Sequence, residues 1–512
     1  MHKTIRTTIL AIITLAGLAV AAAFIYPEVE PKVIVNANLL FKNAVAIPPL
    51  LPAARADGKA LFDGMTAQIG ESRFLVGGRT ETFGFNAAYL GPTIRVRKGE
   101  IARITLTNKL NEATTLHVHG AILPAAMSGG PHQIVAPGQS WTAEFPITQP
   151  AATLWYHPET MGKAGEQLYR GLAGLFIVDD ENSNTPGLPK EYGVDDIPLI
   201  VQDRDIDGRG QFLYVRPTAT SAVGMLGKTI LVNGTYGPFL EVPRKLIRLR
   251  IVNASNGRRF DFAFDDGRSF QQIATDGGLL AAPVTRTVMR LAPGERGEIV
   301  VDMSKPERVI LMSQPIADDE NPFVNLAEVL LRDTHDENQG FKILELRPIF
   351  SSRIDPTPAP ANLVKFEPLA ETAAARTRRL VLDDSFTING TKLDRQRADA
   401  AVKKGDVEIW EIANRSGRNQ SFHIQGVQFQ ILARDGRPPE PHERGWKDTA
   451  SLAAGEDVRL IMRFTAPADA TLPFMFQSFV LEHRDAGMIG QFVVVDDPAQ
   501  QPRIKSPLTD TR

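Results

Sequence analysis

The residues best placed to do chemistry are histidines at alternate positions. In Leu116-His117-Val118-His119-Gly120 one apolar residue separates two imidazoles, so on a strand both leave the same face. Leu154-Trp155-Tyr156-His157-Pro158-Glu159 repeats that spacing with an imidazole and a carboxylate. These groups suit borderline metals such as copper and zinc, whereas strong selection of soft ions would call for a thiolate. Two later phrases keep the spacing with weaker chemistry. Phe422-His423-Ile424-Gln425-Gly426 retains one imidazole, and Met475-Phe476-Gln477-Ser478-Phe479 retains none.

The candidate metal ligands are therefore His117, His119, His157 and His423, for one copper or zinc ion. A His-x-His pair also occurs on wetted strand faces without any metal, so a hydrogen-bonded polar remnant is the alternative reading. Glu159 is either a hard ligand or the partner of a neighbouring imidazole. A second candidate set, His483 and Met488, lies in Leu481-Glu482-His483-Arg484-Asp485-Ala486-Gly487-Met488. A blue-copper centre would add a thiolate and another imidazole, and the chain has 0 cysteines. No residue is assigned a catalytic role.

The elements that must hold these residues are short strands. One phrase recurs three times: Lys98-Gly99-Glu100 through Ile104 to Asn108 and on to Ala136-Pro137-Gly138; Val232-Asn233-Gly234 through Leu249 to Asn253 and on to Ala292-Pro293-Gly294; and Ile388-Asn389-Gly390 through Ile409 to Asn414 and on to Ala454-Gly455. Each copy reads as strand, turn, strand, long crossing and turn. In the third copy Val407 and Ile409 alternate with Glu408 and Trp410, the pattern of a half-buried strand.

Three β-sandwiches follow, over residues 50–183, 190–345 and 365–498. The 512-residue length agrees with several cores rather than one, and 41 Gly with 36 Pro fit a turn-rich, all-β chain. Residues 351–368, with four prolines, read as an ordered crossing linker. Residues 497–512 read as a loose tail. Residues 27–50, also with four prolines, are assigned to none of the modules.

A net charge of -2 with no basic stripe argues against nucleic acid as a partner. Lys3 and Arg6 precede an uncharged run from Thr7 to Tyr26 that contains Ala21-Ala22-Ala23. Residues 1–26 thus read as a cleaved signal peptide or a retained membrane anchor, the only expected membrane contact. Either form places the chain in the periplasm or on the periplasmic face of the inner membrane. The absence of cysteine does not bear on this, because an oxidising compartment permits disulfides without requiring them.

The phrases around His117, His157 and His423, together with Gly445-Trp446-Lys447-Asp448-Thr449 and the segment Leu481 to Met488, resemble the signatures of the multicopper oxidase family, in the family's order. The resemblance implies three cupredoxin-like Greek-key β-sandwich domains, a type 1 copper in the last and a trinuclear copper cluster between first and last. The type 1 positions would be Gln420, Ser478, His483 and Met488, of which only the last two match. The type 2 positions would be His117 and His423. Of the type 3 positions His119 and His157 match, while Glu159, Gln425, Gln477 and Phe479 depart.

Gln477-Ser478-Phe479 then stands in place of the His-Cys-His electron relay, so no type 1 copper and no ordinary four-electron oxidase activity is expected. Within the family, Ala152 to His157, Gly171 to Gly174 and Tyr192 to Asp196 resemble an exported copper-free member that serves cell division. The implied function is a non-oxidase structural or interaction protein of the periplasm with a division-related protein partner. The alternative is a copper- or zinc-binding protein, with unconventional oxidoreductase activity as one form.

Overall fold

The structure is a computed structural model and describes residues 34–214, 223–315, 339–355, 357–497, 499–500 and 502–505. The expected export segment, residues 1–26, lies outside the described residues. Six sheets pair into three sandwiches. In every sheet, strands that are not successive in the chain lie side by side, because successive strands cross between sheets. The fold is therefore all-β with cupredoxin-type domains.

Two sheets position most of the chemistry. In the first sandwich, Ile94–Arg97, Gly174–Asp179, Ala152–His157 and His117–His119 lie side by side in that order. In the third, the order is Ala400–Lys403, Ile489–Val495, Asp469–Ser478, Gln420–Ile424 and Thr449–Leu452. The registers correspond: His117 faces His157 across its strand pair, and His423 faces Gln477 across its own. The repeated spacing seen in the sequence thus becomes two equivalent strand pairs turned toward one another.

Burial explains why the faces meet. One apolar cluster runs continuously through the first and third sandwiches, from Leu116, Val118 and Leu154 to Phe422, Ile424 and Phe476. The second sandwich has its own core. A smaller cluster joins all three, with Trp155 and Leu168 against Ile200, Val252, Phe479 and Leu481. Removal of this surface from water supplies the non-directional attraction that brings the three units together.

The structure changes two expectations and places one segment that the sequence left unassigned. The strand Val407–Asn414 is buried on both faces rather than one, because Leu369 and Ala374 pack over Val407, Ile409 and Ile461. Its carboxylate Glu408 is accommodated by Arg378, at 2.6 and 2.9 Å, and by the Trp410 indole N–H at 3.0 Å. The proline-rich segment before the first sandwich belongs to the second: Asn43–Ala44 pairs in parallel with Pro238–Val242, and Asn36 exchanges hydrogen bonds with the Lys342 backbone. The expected loose tail is held at Arg503 and Lys505 by the carbonyls of Ala470 and Thr471.

Charge also joins the first two units. Glu298 accepts from Arg248 at 2.7 Å, Arg250 at 3.1 Å and the Thr153 hydroxyl at 2.6 Å, all buried. Burial pushes its pKa up, but Arg248 and Arg250 override it and hold the carboxyl at about 2, against 4.5 for an ordinary Glu. A depressed carboxylate contributes stability that is complete above pH 4.5 and disappears as pH falls toward 2. The contribution is on the order of 3 kcal/mol. Thermal unfolding of the parent chain and Glu298→Gln at pH 7 and pH 3 is expected to show a large gap at neutral pH that narrows in acid. An equal gap at both values would remove the charge argument.

Candidate metal centre

The four predicted histidines are buried together where the first and third sandwiches meet. Their ring centroids lie 5.8 Å apart for His117 and His423, 5.4 Å for His117 and His157, and 3.7 Å for the stacked rings of His119 and His423. They form two overlapping groups of metal-ligating atoms rather than one set of four. The first is His117, His119 and His157; the second is His119, His423 and Asp448.

Hydrogen bonds assign the tautomers, since a carbonyl can only accept. His117 Nδ1 donates to the Ser128 carbonyl at 2.6 Å, His157 Nδ1 to that of Pro158 at 3.1 Å, and His423 Nδ1 to that of Asp448 at 2.9 Å. Each therefore keeps its Nε2 lone pair. His119 is reversed, because its Nε2 lies 3.0 Å from the Asp448 carboxylate and donates to it. Its lone pair is on Nδ1, which faces His157 Nε2 at 3.1 Å.

Two lone pairs this close repel unless a cation or proton lies between them. Their separation is close to the roughly 3.3 Å expected for two nitrogens about 2.0 Å from one tetrahedral metal ion. His117 Nε2 and His423 Nε2 have no hydrogen-bond partner among the described residues, an unusual condition for buried polar atoms. Burial holds His117, His119 and His157 neutral, with pKa values near 4 for His117 and near 3 for His157 and a value well below normal for His119. Neutral imidazole is the ligating form, so the donor set fits a single copper or zinc ion.

The departing positions are not ligands. Glu159 is neither a hard ligand nor chiefly an imidazole's partner: its Oε1 is 3.7 Å from His157 Nδ1, while its Oε2 accepts from Arg484 at 2.7 Å. Gln477 donates to both Glu159 oxygens at 3.0 Å. Phe479 packs edge-on to His119 and His157, with centroids at 4.9 and 5.2 Å. Gln425 accepts from the Met475 N–H at 3.2 Å. A trinuclear copper cluster does not fit these residues.

The type 1 positions do converge, but as a hydrogen-bonded triad. Gln420 Oε1 accepts from the Ser478 hydroxyl at 3.0 Å and from His483 Nδ1 at 3.1 Å. The His483 ring stacks on Phe386 at 4.6 Å, and Met488 is buried. No thiolate is present to bind type 1 copper.

Three family models, each described as multicopper oxidase, match residues 67–183, 184–329 and 358–498. The chain belongs to the multicopper oxidase family. Among curated members of this family it is 38% identical over 461 residues to cell division protein FtsP of Xenorhabdus nematophila, covering 90% of this chain and 94% of that protein. Identity to FtsP of Escherichia coli K12 is 39% over 456 residues, covering 88% and 93%.

Solved multicopper oxidases share the architecture. The laccase-like CueO of Ochrobactrum sp. superposes with a TM-score of 0.79 at 32% identity, over 88% of this chain and 100% of that one. McoA of Aquifex aeolicus gives 0.78 at 31%, over 89% and 100%. This multicopper oxidase relative thus keeps the fold and two groups of metal-ligating side chains, but lacks the ligand set for ordinary four-electron catalysis.

Sequence reasoning missed three charged residues at the centre: Asp448, Arg296 and Arg484. Asp448 and Arg484 sit in phrases already noted as signatures, so their positions were visible while their roles were not. Arg296 follows the Ala292-Pro293-Gly294 turn of the second module, and nothing local marks it as reaching Asp448 at 2.6 and 2.7 Å.

Proposed function

We propose that this chain is an exported, non-oxidase multicopper oxidase relative that serves as a structural or interaction protein of the periplasm, in cell division. The observation that carries this reading is the closed Gln420–Ser478–His483 triad, in which side-chain hydrogen bonds occupy the positions needed to accept electrons. The extended similarity to proteins named cell division protein FtsP supports the division context. The basic and then apolar residues 1–26 support export, with a signal peptide or an anchor as the two forms.

Deleting the gene in its own host is expected to lengthen cells through failed division. The parent chain is expected to restore normal length, and so is a chain carrying His117→Gln, His119→Gln, His157→Gln and His423→Gln. Stoichiometric copper with substrate-dependent oxygen uptake in the purified parent would overturn the non-oxidase reading. Loss of rescue in a folded four-histidine variant would move the function to the metal centre.

A second reading is favoured by the converging lone pairs of His117, His119 and His157, with His423 adjacent. It makes the chain a holder of one copper or zinc ion. The ion would supply charge and Lewis acidity at the interface; the residues bind it and exclude water.

A further inference from the structure

Arg484 lies in the short helix Leu481–Asp485, yet its guanidinium crosses into the first sandwich and is fully buried. Oxygen atoms from both units surround it. Nη2 donates to Glu159 Oε2 and to the Glu159 carbonyl, each at 2.7 Å. Nε donates to Glu159 Oε2 at 3.1 Å and to Gln477 Oε1 at 3.3 Å. Nη1 reaches Asp485 at 2.7 Å and the Thr160 carbonyl at 3.4 Å.

Carboxylate, amide and carbonyl oxygens converging on one buried positive charge form the kind of shell that hard and borderline divalent cations take. The shell is also continuous with the imidazoles: Gln477 faces His423 across one strand pair, His157 faces His117 across the other, and Glu159, two residues after His157, accepts from Gln477 at 3.0 Å. The same centre therefore has a nitrogen end with unprotonated lone pairs and an oxygen end with a guanidinium.

We propose that Arg484 is a built-in cation that stands in for a metal ion at the oxygen end of this centre, joining the first and third sandwiches without metal and limiting the centre to one ion at its nitrogen end. The capacity of the nitrogen end rests on the second reading above; the role of Arg484 does not. A guanidinium cannot be removed by chelation or lost at neutral pH, so the oxygen end holds together whatever the supply of metal. Taking the side chain away leaves Glu159 and Gln477 as an oxygen-rich site beside His157, and a divalent ion is the simplest replacement for the missing charge.

The test measures zinc per chain in Arg484→Leu and in the parent, by elemental analysis after dialysis against ZnCl2, together with the melting temperature with and without zinc. Arg484→Leu is expected to melt lower than the parent, to hold about one zinc more per chain, and to regain melting temperature when zinc is added, since binding to the folded state stabilises it. Arg484→Leu combined with Glu159→Leu removes the Arg484–Glu159 pair, leaves Asp485 its Gly165 N–H donor at 2.9 Å, and is expected to melt above the single variant while losing the additional zinc. Running each protein also with His117→Gln separates the two ends: the nitrogen end sets the starting content, and Arg484 sets the increment. No increment in Arg484→Leu, or an increment that survives Glu159→Leu, overturns the proposal. If Arg484→Leu is recovered only when refolded with zinc, the proposal stands; if it is recovered neither with nor without zinc, the proposal fails.

Discussion

A chain carrying Gln420→His and Ser478→Cys is expected to bind copper at the end of the third sandwich and turn intensely coloured, where the parent stays colourless with the same metal. Ser478 and His483 already meet at Gln420 Oε1, at 3.0 and 3.1 Å, and Met488 is buried nearby. The two changes place a thiolate and a second imidazole beside an existing imidazole and thioether, the set that a blue-copper centre uses. Copper would lower the pKa of the thiol and bind it as thiolate. Charge transfer in the copper–thiolate bond gives a strong visible band, so the absorption spectrum of the copper-loaded protein is the measurement. Oxygen uptake is expected to stay at background, because Gln477 and Phe479 still interrupt the path to the histidines. A colourless protein that nevertheless binds copper would mean that the side chains at 420 and 478 cannot reach one ion together.

Asp448→Ala is expected to cost about 3–5 kcal/mol of stability, among the largest losses available in this chain. Asp448 belongs to the third sandwich, Arg296 to the second and His119 to the first. The carboxylate accepts from Arg296 at 2.6 and 2.7 Å and from His119 at 3.0 Å, and all three side chains are buried. Burial pushes the Asp448 pKa up, yet Arg296 and His119 hold it well below the ordinary carboxylate value, so the charge is retained inside the protein. Removing it leaves the buried guanidinium only Asp276 as counter-charge, 3.7 Å away and already paired with Lys447 at 2.8 Å, and leaves the His119 N–H only the Thr449 hydroxyl. Arg296→Met with Asp448→Leu removes both charges and is expected to recover much of the loss, since replacing a whole buried pair is far less costly than breaking one. Urea unfolding of the parent, the single variant and the pair checks this. Equal losses for the single and paired variants would make packing, rather than the uncompensated charge, the cause.

Much of the centre was legible because strand periodicity is local. The His117 and His119 spacing places two imidazoles on one face whatever the rest of the chain does, and the recurrence of that spacing at His423 and Gln425 marks an equivalent strand. The absence of cysteine excludes type 1 copper without any structure. Glu159 was harder to read, since a carboxylate two residues after an imidazole looks like its partner. Its charge is balanced by Arg484, 325 residues away in the chain. The strand Val407–Asn414 was misjudged for a related reason: its alternation suggests an exposed face, but Leu369 and Ala374 come from outside the repeat to cover it.

The sequence by itself determined the fold family, the three-unit repeat, the loss of the copper–thiolate chemistry and the four imidazoles that remain. All of these follow from residue type and from spacing along a strand of period two. Only the tertiary structure decided how those imidazoles are used. It turned His119 Nε2 toward Asp448 and its Nδ1 toward His157, left the Nε2 atoms of His117 and His423 without hydrogen-bond partners among the described residues, and brought a guanidinium from the third sandwich to the carboxylate of the first. Buried charges are compensated by whichever opposite charge lies nearest in space, and in a molecule with joined cores that neighbour comes from a distant part of the chain.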